Sequence, residues 1–262
     1  RQGGDEFIVL MPGIADQTHA ITAAGHLLES IATPFSGLGA DFFTSASIGI
    51  SLFPDDGRDG ETLLSNADTA MYEAKAAGGN AFRTHTPQMN QRLQARVTLE
   101  TLLRSAIAQN ELALYFQPQI DAISGRLTGA EALLRWQQEG RFIPPDQFIP
   151  VAEDTGLIIS IGDWVVDRAI ALIVEWRQQY GEIPPIAINL SPRQFWRPAL
   201  SRNILDKLSA ANLPPSALEV EVTESVLLHT DSGSLDELEI FRESGVGIAL
   251  DDFGTGYSSL SY

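Results

Sequence analysis

Four oxygen-bearing side chains close four separate apolar runs: Glu131 in GAEALLRW, Asn189 in IAINLS, Glu221 in LEVEVTES and Asp251 in IALDDFGTG. In a parallel β/α barrel the catalytic groups come from the C-terminal ends of different strands, so acids recurring at those ends predict an active site. In 218–222 a period of two throws Leu218, Val220 and Val222 to one face and Glu219 and Glu221 to the other. A half-solvated edge strand gives the same alternation, and the company of Glu131, Asn189 and Asp251 argues for chemistry instead. Three carboxylates and an amide make an all-oxygen set that suits Mg²⁺ or Mn²⁺ better than zinc or copper. Asp251 and Asp252 are adjacent, so one can bridge two ions while the other holds the second. Two ions about 3.5–4 Å apart are the usual device for activating water against a phosphodiester. An isolated Asp-Asp is more often a turn or a helix cap; here Gly254 and Gly256 follow and permit a loop that closes over a ligand.

Composition narrows the substrate. The chain has 262 residues, 44% of them hydrophobic, enough for a sizeable core, with a formal charge of -17 and a pI near 4.5. No broad basic face is available to track a phosphate backbone, which disfavours polymeric nucleic acid as a partner. A small phosphodiester held through cations is compatible, because bound cations reverse the charge logic of an acidic pocket. Cysteine is absent, which excludes disulfides and thiolate metal sites and agrees with a cytoplasmic location. Apolar stretches fall short of the roughly 20 residues of a membrane-spanning helix, and Arg1-Gln2-Gly3-Gly4-Asp5 is no signal peptide. Any membrane anchor of the full-length protein is expected outside this chain.

The elements that must position these residues fall into two grammars. In the first, the run 7–10 after Gly3-Gly4-Asp5-Glu6 predicts a strand ending at Pro12-Gly13, followed by a helix over about 16–31 and a strand pair around 42–53 that stops at Pro54-Asp55-Asp56-Gly57. A helix over about 60–77 has Leu64, Ala67, Met71 and Ala74 at helical spacing and Gly78-Gly79 as its stop. A short strand at 81–84 precedes Pro87 and an amphipathic connecting helix to about 107. Beyond it, strands are expected at 112–117, 127–134, 186–190, 218–222 and 246–250, alternating with helices at 146–153, 158–180, 200–211 and 235–244. Repeated βα units imply a parallel sheet, doubly wound or closed as a barrel.

The motifs Tyr115-Phe116-Gln117-Pro118, Glu131 to Trp136, Phe148 to Glu153, Asn189-Leu190-Ser191-Pro192, Glu221-Val222-Thr223-Glu224 and Asp251 to Gly256 together resemble the EAL-domain phosphodiesterases, which hydrolyse cyclic di-GMP to linear pGpG. The resemblance implies that Glu131, Asn189, Glu221 and Asp251 ligate a first metal, with Asp251 bridging and Asp252 on a second. It implies that Gln117 and Arg135 hold the substrate, a role that suits a guanidinium fork, and that Glu224 braces the loop starting at Asp252. Residues Gly3 to Phe7, with Ser47 to Ile50 and Ala67 to Lys75, resemble the C-terminal half of a GGDEF diguanylate cyclase domain. There Asp5 would bind metal, Glu6 would sit by the attacking hydroxyl and Lys75 would touch a triphosphate, with Gly3 and Gly4 forming the turn. Taken alone, Gly-Gly-Asp-Glu is a hairpin turn and Lys75 a solvated helix residue.

The resemblance thus implies an α/β chain. An α+β GGDEF part over 1–86 and a connecting helix over 87–110 lead into the N-terminal part of an EAL (β/α)₈ barrel over 111–262. Gly79 stands where the cyclase family has a phosphate-binding arginine, which favours a regulatory, GTP-binding or structural role over synthesis. The family's catalytic lysine and a further glutamate are expected downstream of the Asp-Asp motif, and neither Lys75 nor Lys207 can replace that lysine. The expectation is therefore that the chain as it stands is inactive in hydrolysis and exposes apolar barrel positions. Homodimerisation through the EAL part is expected from the resemblance alone. The rival readings are a non-catalytic receptor for cyclic di-GMP, a diguanylate cyclase, and an unrelated Mg²⁺ barrel enzyme acting on a carboxylate.

Overall fold

Asp16 accepts a hydrogen bond from the His19 backbone N–H at 3.1 Å and caps the first helix, α1 (Gln17–Ala32), as a short acidic side chain does at an N-cap. The computed structural model describes residues 1–14, 16–37, 40–228 and 233–251. The chain folds as two compact units, Arg1–Val97 and Thr98–Tyr262.

In the first unit β1 (Phe35–Gly37) and β2 (Ala40–Phe42) form an antiparallel ribbon, while β3 (Ser47–Ile50) runs parallel to β4 (Ala81–Thr84). Helix α2 (Gly60–Ala76) lies between β3 and β4 in sequence. Asp59 caps its start by accepting from the Thr62 N–H at 2.8 Å. Gly78 and Gly79 end it with φ of 109° and 70°, backbone that glycine adopts without penalty. Gly49 lets β3 and α2 meet, since a Cβ there would overlap the Ala67 carbonyl and the Met71 amide. Beyond β4, buried His85 lies between Asp56 (3.0 Å) and Asn90 (3.2 Å), and Asn90 belongs to the first turn of the long helix α3 (Pro87–Ala106).

Two expectations for this unit need correction. Residues 7–10 form no strand; the turn before them closes with a single Gly3–Glu6 bridge. An apolar run becomes a strand only where a neighbour completes its ladder, and none of the described strands lies beside it. The strand pair around 42–53 is instead the β1–β2 ribbon plus β3, whose partner β4 lies beyond the whole of α2 in sequence. Local alternation cannot announce such a partner.

The second unit is built on β5 (Leu112–Ile120), β6 (Leu127–Gln138), β7 (Arg141–Ile143), β8 (Ile186–Leu190), β9 (Leu218–Thr223) and β10 (Gly247–Asp251). They form one open sheet in the order β10-β9-β8-β6-β5, with β7 beside β6. The pairs β6–β8, β8–β9 and β9–β10 are parallel, as expected of βα repeats. The first strand departs from that expectation, because β5 is antiparallel to β6. A parallel crossover needs a dozen or more residues, and the link over 121–126 is a tight turn in which Asp121 accepts from the Ser124 N–H at 2.7 Å.

The crossovers are α4 (Pro145–Thr155), α5 (Leu157–Tyr180), α6 (Pro192–Phe195), α7 (Leu200–Ala210), α8 (Glu224–Leu228) and α9 (Ser234–Ser244). One sheet face packs against them. Ile186, Ile188, Leu190, Leu218, Val220 and Val222 are buried in a cluster with Ile161, Val165, Ala169 and Ile173 of α5 and Leu103 and Ala106 of α3. Phe116 meets Trp176 edge-on at 4.6 Å between ring centres. Ile248 and Leu250 of β10 carry the same face and are exposed. With one face committed to the helices, the other is left for polar side chains.

Candidate active site

Strand register decides which residues meet. In the ladders Glu131 stands opposite Ala187, Asn189 opposite Glu221, and Asp251 opposite Thr223. Paired residues share a face, as do residues two apart. Glu131, Asn189, Glu221 and Asp251 therefore all emerge on the face opposite the helices. Counted from Glu131, Asn189 and Glu221 lie one pleat repeat of about 7 Å further along the strands, and Asp251 two repeats. The line crosses the sheet obliquely, from Glu131 in the middle of β6 (Leu127–Gln138) to Asp251 at the end of β10, so the expectation of a strand end fails for Glu131. Gln117 is paired directly with Glu131 across the antiparallel ladder, so it joins the same face.

The side chains interact accordingly. The Asn189 Nδ2 donates to Glu131 Oε1 at 2.8 Å, a bond in which the Asn189 carbonyl oxygen takes no part. Glu221 is buried. Its carboxyl is pushed up from 4.5 to about 7, first by loss of solvent, then by the negative charge of Glu131 and a hydrogen bond with it, and then by Asp251 and Glu219. The local field thus holds a proton where a cation would relieve the same repulsion. Among the described residues no three acids or histidines converge into a ready metal cage. Glu131 and Glu221 are paired, Asn189 joins them, and Asp251 acts on Glu221 through its charge. An all-oxygen set bearing excess negative charge fits a hard divalent ion.

Arg135 lies two pleat repeats beyond Glu131 on the same strand and face. Its guanidinium sits over the Tyr115 ring at 5.9 Å and donates to the Leu134 carbonyl at 2.9 Å. Tyr115 in turn meets Phe142 edge-on at 5.9 Å. A planar cation supported by an exposed ring suits a phosphate held at the mouth of the site. Glu224 is the first residue of α8, directly after β9, where a negative charge is favourable. Asp252 lies outside the described residues.

In the first unit Gly3, Gly4, Asp5 and Glu6 are all exposed, and the Glu6 N–H bonds the Gly3 carbonyl at 2.8 Å. Arg1 bonds the Gly4 carbonyl from the same turn. Lys75 is exposed in the last turn of α2, and among the described residues no hydrogen bond or ion pair joins it to that turn.

Tyr115, Ser191 and Glu153 were given no role by the sequence, yet they surround the site residues. Ser191 closes β8 with a capping box: Gln194 accepts from the Ser191 N–H at 3.0 Å, and Ser191 Oγ accepts from the Arg193 N–H at 3.3 Å. The same hydroxyl donates to Glu153 Oε1 at 2.6 Å. The Ser-Pro-x-Gln spacing after Asn189 is a readable capping signature; the bond to a helix 38 residues earlier has no local signal.

Residues 100–262 match the family model described as the EAL domain. The chain belongs to the EAL domain family. Residues 1–81 of this EAL protein match the family described as diguanylate cyclase, GGDEF domain. It is similar to the bifunctional diguanylate cyclase/cyclic di-GMP phosphodiesterase MucR of Pseudomonas aeruginosa, with 42% identity over 100% of this chain and 38% of MucR. The cyclic di-GMP phosphodiesterase PdeR of Escherichia coli is 38% identical over 100% of this chain and 39% of PdeR. The EAL chain thus spans little more than a third of the length of either relative. A solved structure of the PaMucR phosphodiesterase with c-di-GMP superposes with a TM-score of 0.59 at 43% identity, over 63% of this chain and 67% of that one. The Xanthomonas citri FimX EAL domain, also with c-diGMP, gives 0.54 at 25% identity, over 65% of each. None of the helices among the described residues is long and apolar enough to cross a membrane.

Proposed function

We propose that the second unit is a metal-dependent phosphodiesterase that hydrolyses cyclic di-GMP to linear pGpG in the cytoplasm. The GGDEF part would serve it as a regulatory platform, with GTP as its candidate ligand. The observation that carries this reading is the placement of Glu131, Asn189, Glu221 and Asp251 on one sheet face in stepped register, joined by the Asn189–Glu131 bond and the raised Glu221 carboxyl. Glu131, Asn189, Glu221 and Asp251 would hold one Mg²⁺ or Mn²⁺, with Asp251 bridging to a second ion that Asp252 completes. When bound, such ions supply a lowered pKa for the attacking water and neutralise charge developing on the phosphoryl oxygens.

This chain's own residues do the rest. Gln117, level with Glu131, would orient the substrate beside the acids. Arg135, steadied on Tyr115, would clamp a phosphate at the rim, and Glu224 would brace the chain entering the Asp252 segment. MucR and PdeR are described as cyclic di-GMP phosphodiesterases, and the PaMucR and FimX structures hold c-di-GMP, which supports the same substrate here. A homodimer through the EAL unit belongs to the same proposal.

The test is pGpG release by the whole protein with Mg²⁺, beside Glu131→Ala. The variant is expected to lose at least about 100-fold in turnover, as loss of a metal ligand does. Unaltered turnover refutes the assigned role of Glu131, and cyclic di-GMP binding without any release in the unaltered protein points to a receptor instead.

A further inference from the structure

The motif Phe148 to Glu153 has no part in the chemistry above, yet its last residue reaches the metal-ligating edge of the sheet. Phe148 and Ala152 are fully buried and Val151 nearly so, which anchors α4 in the core. Phe148 packs edge-on against Trp136 at 5.5 Å between ring centres. Glu153, one residue beyond Ala152, is directed elsewhere: its Oε1 accepts the Ser191 hydroxyl at 2.6 Å, within the short range of a charge-assisted O–H···O⁻ bond.

Ser191 is thereby held from three sides. Its hydroxyl donates to Glu153 and accepts from the Arg193 N–H, and its own N–H donates to the buried Gln194 side chain. Gln194 is locked in turn, because its amide fills the space where Gly162 of α5 has no Cβ. A second, longer contact between Arg193 and Asp154 (3.9 Å) ties the same two segments.

Two residues before Ser191 stands Asn189, whose side chain is exposed and so is not held by packing. Its direction is set by the strand end that carries it and by its bond to Glu131. A ligand amide in that position needs its backbone fixed, since outer partners of metal ligands commonly contribute 10–100-fold to affinity.

We propose that Glu153 is a positioning residue for the metal site, holding the end of β8 through Ser191 so that the Asn189 amide stays against Glu131. The inference rests on the metal-dependent reading of that site. Its readout is direct Mn²⁺ binding, followed by the loss of the free-ion electron paramagnetic resonance signal, with thermal unfolding by circular dichroism beside it.

Glu153→Ala and Ser191→Ala are each expected to weaken Mn²⁺ binding by about tenfold. The double variant should add little to Ser191→Ala, which already removes the bond to Glu153 together with the cap on the Arg193 N–H. Glu153→Gln keeps an acceptor for the Ser191 hydroxyl and should restore binding to within about threefold. Should Glu153→Ala fail to fold, Ser191→Ala and Glu153→Gln still decide the matter. Wild-type affinity in Ser191→Ala, equal weakness of Glu153→Gln and Glu153→Ala, or fully additive single losses would each overturn the proposal. The reading beneath it is tested separately by Glu131→Ala. If that variant binds Mn²⁺ like the unaltered chain, the metal site itself is refuted and this inference with it; if it loses binding while Glu153→Ala and Ser191→Ala keep it, only the positioning role falls.

Discussion

Glu221→Gln isolates the electrostatic cost of assembling these acids. Glu221 is buried beside Glu131, and its carboxyl lies near 7 in the folded chain against 4.5 ordinarily. A carboxyl raised on folding binds its proton more tightly in the folded state, so its contribution is fully favourable below 4.5 and is lost as pH rises through 7. Once both states are ionised, the displacement from 4.5 to about 7 corresponds to about 3 kcal/mol of destabilisation. That value is a ceiling, since exposed Asn189 and Asp251 admit water that screens the charges. Glutamine keeps the shape and can donate to Glu131, but it carries no charge. In EDTA, the variant should therefore be more stable than the unaltered chain by up to about 3 kcal/mol at pH 8 and equal to it near pH 4.5. Urea unfolding followed by circular dichroism at both pH values measures this. In saturating Mn²⁺ the order should reverse, because bound cation replaces the proton in relieving the repulsion. A variant less stable than the parent at pH 8 in EDTA, or a difference independent of pH, would refute the reasoning.

Arg135→Lys keeps the charge but loses the planar fork and its seat on Tyr115; cyclic di-GMP affinity by calorimetry should fall about tenfold while Mn²⁺ affinity stays unchanged. Unchanged nucleotide affinity would remove Arg135 from the contact. Gly49→Ala places a methyl group onto the backbone of α2 at Ala67 and Met71. It should destabilise the first unit by about 1–3 kcal/mol, seen as an earlier transition in a thermal melt with pGpG release unaffected.

Elements whose signals are local were legible in the sequence. Helix α2 was bracketed by its apolar spacing and by Gly78-Gly79, and it runs Gly60–Ala76. Strand β8 was expected over the residues it occupies, Ile186–Leu190, because a short apolar run buried by helices has little else to become. Residues 7–10 read as a strand for the same local reason and are not one, since strand formation depends on a partner that alternation does not reveal. The antiparallel β5 and β7 were hidden behind a βα repeat that holds only for β6, β8, β9 and β10, although the short 121–126 link is the physical clue to the first of them.

By itself the sequence determined the chemistry on offer: oxygen ligands without sulfur, a net charge of -17 that disfavours a polynucleotide, and acids at the ends of apolar runs. Only the tertiary structure decided that those ends belong to neighbouring strands, because register and strand order arise from contacts between residues tens of positions apart. It alone set Asn189 against Glu131, raised the Glu221 carboxyl by burying it beside Glu131, and brought Glu153 to Ser191. Hydrogen bonds act over about 3 Å and screened charges over about 10 Å of space, and spacing along the chain does not show which distant residues folding will bring within that range.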